Sequence, residues 1–334
     1  MLISPSLVRL KIDSLCREKH GAVRPRCRLR GIARSLSLHF VFGAGASYGA
    51  GGCLPSPPPL GPGLYPALQS SFAATWGSLP EKYASLYAAY YEDGMAAVWQ
   101  EHSEWVPALM RDMAVFFARY RLDGHGNDCY SRLIKGLAAN GRLDEADFAT
   151  TNYECLFDEA LTVAGRNVCY GPQPRVGWTT LWKLHGSCTF TVQGIKLQPG
   201  AAVYTSGATF HGNGIELIAR TDVERYCATS GLYPCMSLYA PGKPNQMARA
   251  MIESMQLEWA SRVAAEGIVV IIGLAPHPPD SHIWSRLAST PATLYYVGAE
   301  EPFAQWARAN REGREARWLA PTFEASLPDL LALE

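Results

Sequence analysis

The chain has 334 residues, 48% of them hydrophobic and 18% charged, with a formal net charge of zero. That composition has room for one large domain or two modest ones, and it excludes a global field that would recruit nucleic acid or membrane. Nine cysteines lie scattered, none in a CxxC pair or a zinc-type Cys/His spacing. The expectation is idle thiols in a reducing, cytoplasmic compartment, with no metal and no disulfide.

Residues 1–36 hold nine Lys/Arg against two Asp/Glu, so the zero total hides a basic leader and an equally acidic remainder. The run RPRCRLRGIAR shows little amphipathic period and reads as a loosely ordered extension, the one place where nucleic acid is a candidate partner. No apolar run approaches the ~18 residues of a membrane helix. The longest, IVVIIGLA at Ile268–Ala275, has strand length.

LSLHFVFGAGAS (Leu36–Ser47) predicts a buried strand ending in a glycine turn. CLPSPPPLGPGLYPAL (Cys53–Leu68) predicts a rigid loop until the prolines end, then a short helix. EKYASLYAAYY, EWVPALMRDMAVFFARY and DCYSRLIKGLAAN each carry helical apolar spacing. They predict three or four helices with no strand between them, an inserted helical layer over residues 77–142 whose aromatics serve the core. Strands return at ADFATTNYE (Ala146–Glu154), followed by the helix YECLFDEALTVA, and again at TTLWKLHGS (Thr179–Ser187). Residues 188–240 predict only short strands and loops. A long helix follows over Asn245–Gly267, then a buried strand over Gly267–Gly273 and a proline turn. The helix DSHIWSRLAST, the strand ATLYYVGAE and the helix PFAQWARANRE complete the pattern.

Apolar strands alternating with helices imply an α/β fold with a Rossmann-like, doubly wound parallel sheet. Ligands bind such sheets outside the carboxyl ends of the strands. Here those ends read GAGAS, TTNYE, KLHGS, IGLAP and VGAEE, small or polar groups from which a core gains nothing.

Gly43-Ala44-Gly45 after a strand suggests backbone N–H groups aimed at a phosphate. The dehydrogenase version needs a third glycine where Tyr48 stands, and a carboxylate about 20 residues later. No Asp or Glu occurs between Gly43 and Pro80, and no Lys-Ser/Thr follows for a Walker loop. Close strand–helix packing explains such a turn about as often as a ligand does.

GAGAS, TTNYE and KLHGS, each after a strand and in this order, resemble the sirtuin superfamily, specifically its bacterial SIR2-like branch. APGKPNQ before the long helix and IIGLAPHPPDSHI after it are similar to segments of that branch, and the likeness spans Ser37 to Arg311. The resemblance implies a sirtuin-type NAD-binding domain over residues 37–334, with the helical stretch as its small inserted domain. It implies that Gly43, Ala44, Gly45, Ala46 and Ser47 wrap the NAD diphosphate and nicotinamide ribose. Asn152 matches the residue that orients water or ribose, and His185 the catalytic histidine. Glu154 stands where an Asp is usual near the nicotinamide pocket. Gly186 belongs to the histidine motif, and Gly273 and Leu274 to the adenosine side, with Asp280, Gly298 and Glu300 as secondary candidates.

The residues themselves fit such roles. An asparagine after an apolar strand offers a donor and an acceptor without charge, although it also suits a helix cap. An imidazole accepts a proton near neutrality. The four-cysteine zinc module of deacylating sirtuins is missing. What the resemblance then implies is an NAD+ glycohydrolase that releases nicotinamide and ADP-ribose, serving bacterial anti-phage defence. A partner protein or homo-oligomerisation would trigger it. Two other outcomes stay open: a protein deacylase or ADP-ribosyltransferase, and a non-catalytic module binding NAD or ADP-ribose.

Overall fold

The computed structural model describes residues 37–171, 175–201, 205 and 207–333. The expectation for the basic leader therefore lies outside the described residues.

Strand β1 (Ser37–Phe42) turns at Gly43 directly into the short helix α1 (Ala44–Tyr48). β2 (Cys53–Leu54) follows, then α2 (Gly61–Ser71). The prolines do not delay this helix to their end as expected. Pro62 sits in its first turn, where a missing N–H is harmless. Next come α3 (Glu81–Ala89), α4 (Tyr91–Glu101), α5 (Val106–Ala118) and α6 (Cys129–Ala139). The helical run is interrupted, against expectation, by β3 (Arg121–Leu122), which pairs antiparallel with β2. Tyr65, Trp76, Tyr87 and Tyr91 of this region pack as one buried aromatic group, with the rings of Tyr65 and Tyr87 stacked at 5.2 Å.

β4 (Ala146–Thr150), α7 (Leu156–Val163), β5 (Val168–Cys169) and β6 (Thr179–Lys183) follow. The stretch after them holds the antiparallel pair β7 (Phe190–Val192) and β8 (Ile215–Leu217), and the unexpected helix α8 (Val223–Thr229). α9 (Arg249–Val263) starts four residues later than its apolar pattern. Asn245 Oδ1 accepts from the Met247 N–H, and Ala248 adopts φ 51°, so the backbone is turned before the helix begins. β9 (Gly267–Ile272), α10 (Ser281–Ser289), β10 (Thr293–Val297) and α11 (Glu300–Asn310) lie as predicted, within one to three residues. β11 (Ala316–Ala320) and α12 (Phe323–Ala332) extend the fold beyond the predicted elements.

Seven strands form one sheet in the order β11-β10-β9-β1-β4-β6-β5, every neighbouring pair parallel. The fold is α/β and Rossmann-like, as the alternating pattern predicted. Phe42 meets Tyr130 of α6, Phe157 of α7 and Phe323 of α12, which marks one covered face. Trp182 alternates to the other face, where Arg262 of α9 lies 5.8 Å from its ring. Burial on both faces is why β9 reads as an unbroken apolar run and why β1 departs from one only at Ser37 and His39. From β1 the chain winds outward through β4 and β6, then returns to β9 and winds the opposite way. The topological switch therefore falls between β1 and β9, and a crevice is expected at their carboxyl ends.

Candidate active site

A cavity of about 690 Å³ opens at that crevice, within the range of small-molecule sites. All five predicted rims contribute to its wall: Ala44, Gly45 and Ser47 after β1, Thr151 to Glu154 after β4, His185 after β6, Ile272 to Ala275 after β9, and Val297 to Ala299 after β10. A sixth rim, Pro321 to Phe323 after β11, escaped the sequence reading. Of the candidate residues, Ala44, Gly45, Ser47, Asn152, Glu154, His185, Gly273, Leu274, Asp280 and Gly298 line the cavity. Gly43, Ala46 and Gly186 stand behind this layer, and Glu300 is exposed at the start of α11.

The glycine turn is first of all a lock between two strand ends. Gly43 N–H donates to Ile272 O at 2.9 Å and Gly45 N–H to Gly273 O at 2.9 Å. A Cβ on Gly43 would come within 2.5 Å of Gly273 O, so side chains are excluded here by backbone. Gly186 answers the same need elsewhere, at φ 79° and against the Cys235 carbonyl.

Behind the turn lies a saturated buried network centred on Ser47. Its hydroxyl donates to Glu154 Oε1 at 2.5 Å, receives Asn152 Nδ2 at 3.0 Å, and meets Tyr130 OH at 2.8 Å. One donor and two acceptor sites are all a hydroxyl has, so Ser47 has no capacity left for a ligand. Asn152 Nδ2 also donates to Gly43 O at 3.0 Å. A carbonyl can only accept, so this contact fixes the amide orientation and leaves Oδ1 as the free end. Asn152 does not cap α7, whose N-cap is Cys155.

Burial pushes the Glu154 carboxyl above its ordinary value, while Lys183 and Ser47 pull it back. With the folded value raised, the unfolded chain releases this proton first as pH rises, so stability falls through that window. Glu154→Gln keeps an acceptor for Ser47 and removes that slope. Denaturant unfolding should find the variant equal to wild type near about pH 4 and more stable near about pH 8.

No protein-family model matches this chain, and no curated protein aligns with it.

His185, also on the cavity wall, is buried and faces His282 and the secondary candidate Asp280. Its Nε2 lies 3.1 Å from His282 Nε2 and 3.5 Å from Asp280 Oδ1. Burial drives this imidazole down to about 3; Asp280 opposes the shift, and Lys243 and His282 add to it. The ring is therefore a neutral acceptor at physiological pH. Asp280 occupies the N-cap position of α10, yet its side chain makes no capping bond and turns toward His185 instead. Lys243, from APGKPNQ, pairs with Glu92, lies 3.8 Å from Asp280 Oδ1 and sits 3.9 Å from the Tyr239 ring centre. His277 contacts Tyr90 at the cavity wall. Glu92, Lys243 and His282 come from segments so far apart in sequence that no local spacing announces them.

Proposed function

We propose that the chain is an NAD+ glycohydrolase that cleaves the nicotinamide–ribose bond to give nicotinamide and ADP-ribose. The same reading takes the fold as sirtuin-type, with residues 77–142 as its inserted helical layer. One observation carries it: Asn152 and His185 line the same cavity as the glycine turn, at the crevice where parallel sheets hold nucleotides.

The chemistry asks little of the protein. The leaving nitrogen is cationic in NAD+ and takes the glycosidic electron pair as it departs, so nicotinamide leaves neutral without a general acid. Positive charge develops on the ribose carbon. The described lining offers Glu92, Glu154 and Asp280 to that charge, with Lys243 behind it paired to Glu92 and 3.8 Å from Asp280. Asn152 Oδ1 accepts a hydrogen from water or a ribose hydroxyl, which positions the attacking oxygen. His185 accepts the proton that water gives up on bonding to carbon. Because the Gly43 and Gly45 amides are committed to β9, the turn's contact with the diphosphate falls to the exposed Ala44.

In a bacterial cell this turnover would deplete NAD, the anti-phage role that the resemblance implies, switched by a partner or by self-association. Purified protein incubated with NAD+ should yield nicotinamide and ADP-ribose on chromatography. His185→Ala should lower that rate about 10²–10⁴-fold while circular dichroism stays unchanged. Label retained on protein, or removal of acyl groups from lysine peptides, would point to transfer or deacylation instead. NAD+ bound but intact would leave only a binding module.

A further inference from the structure

The two imidazoles at the cavity wall meet nitrogen to nitrogen, and a carboxylate oxygen joins them. We propose that His185 Nε2, His282 Nε2 and Asp280 Oδ1 form a site for a zinc-class divalent ion, with its remaining coordination position open to the cavity. These three atoms lie within 4.8 Å of one another.

Ligands at zinc's usual bond lengths in a tetrahedron stand about 3.3 Å apart. The measured separations are 3.1 Å between the two nitrogens and 3.5 Å from His185 Nε2 to Asp280 Oδ1. The third separation, between His282 and Asp280, is longer though within 4.8 Å, so these two must draw together by up to about 1.5 Å to share one ion. Asp280 Oδ1 is a second, independent sign, because it is buried without a hydrogen-bond partner. Asp280 as a whole is only 7% exposed, and its Oδ1 has only the longer ion-pair contacts, 3.5 Å to His185 and 3.8 Å to Lys243, where a buried carboxylate gains from a closer partner. Two nitrogens and one oxygen suit zinc rather than magnesium or calcium, which prefer oxygen alone. Lys243, whose ammonium opposes a cation near Asp280, has its charge balanced by Glu92.

Sequence reasoning expected no metal because it looked for local spacing. His185 and His282 are 97 residues apart and meet only where the segment after β6 faces the first turn of α10.

Binding itself does not depend on the proposed reaction, but its consequence does. An ion on His185 Nε2 occupies the lone pair that would take the proton, and a dication beside the ribose opposes the charge developing there. Zinc should therefore inhibit turnover, and a chelator should restore it.

The test titrates cobalt(II) into the full-length chain and reads the visible absorption of a tetrahedral complex, with zinc competition measured by calorimetry. One ion per chain is expected, with affinity weakened about a hundredfold or more in His282→Ala and in the near-isosteric Asp280→Asn. No saturable band in the wild type would overturn the proposal. So would a band that both variants keep, which marks an adventitious ion only. Failure of NAD+ cleavage leaves this readout untouched, so the two ideas fail separately. Where cleavage is present, zinc inhibition that persists in both variants would sink the inhibitory role.

Discussion

Asn152→Ala is expected to lower NAD+ cleavage about 10²–10³-fold, the usual cost of losing one fixed polar group at a developing charge. The cause lies in the divided duty of the carboxamide. Its Nδ2 donates both hydrogens inward, to Gly43 O and Ser47 Oγ, which leaves Oδ1 as the end free to meet substrate. Alanine removes that acceptor and also two buried hydrogen bonds, to Ser47 Oγ and to Gly43 O, which keeps the Ala46 N–H, at a stability cost of about 1–3 kcal/mol for the pair. Thermal unfolding beside the chromatographic assay separates the two effects. Asn152→Asp sharpens the test, since a carboxylate cannot donate to Gly43 O and would face it acceptor to acceptor. The aspartate variant should therefore be the less stable of the two. Cleavage at the wild-type rate in Asn152→Ala would remove this residue from the mechanism.

Gly273→Ala is expected to destabilise the fold by about 4 kcal/mol or more, enough to cost a marginally stable domain its native state. Gly273 adopts φ 65°, strained for any residue with a side chain. A Cβ there would also drive into the backbone of Gly45 and Ala46. Nothing flexible stands in that path. Relief would require β1 and β9 to part at the switch point, breaking the Gly43–Ile272 and Gly45–Gly273 hydrogen bonds. Soluble expression followed by circular dichroism checks the outcome. A well-folded alanine variant would show that the lock between the turns is looser than the backbone distances imply.

Some of this architecture could be read from the chain before any coordinates. β1, β4, β6, β9 and β10 all occupy apolar runs that end in glycine or polar residues, because strands buried on both faces have no other pattern available. The two-residue strand β5 and the edge strand β11, with its exposed Trp318, lack that pattern and went unread. The proline stretch misled for a different reason: α2 takes Pro62 in its first turn, where proline is tolerated, and also Pro66 in its body, where proline is usually excluded. At the site, Asn152 and His185 stood out because the motifs TTNYE and KLHGS, each after a strand, resemble those of a known family; position after a strand alone fits a cap or a core residue as well. Asp280 was only a secondary candidate, and its N-cap position gave no sign that its carboxylate turns toward His185.

The order of apolar strands and the polar residues at their ends are properties of consecutive residues, so they were legible without a fold. They sufficed for a parallel sheet with a ligand-binding rim. The partners of each polar atom depend on segments brought together from across the chain, and no local pattern encodes them. Packing alone saturates the Ser47 hydroxyl, commits two glycine amides to β9, and sets His282 against His185. The reason is geometric: backbone alternation propagates from neighbour to neighbour, whereas a hydrogen bond between residues 97 apart exists only after the sheet has closed.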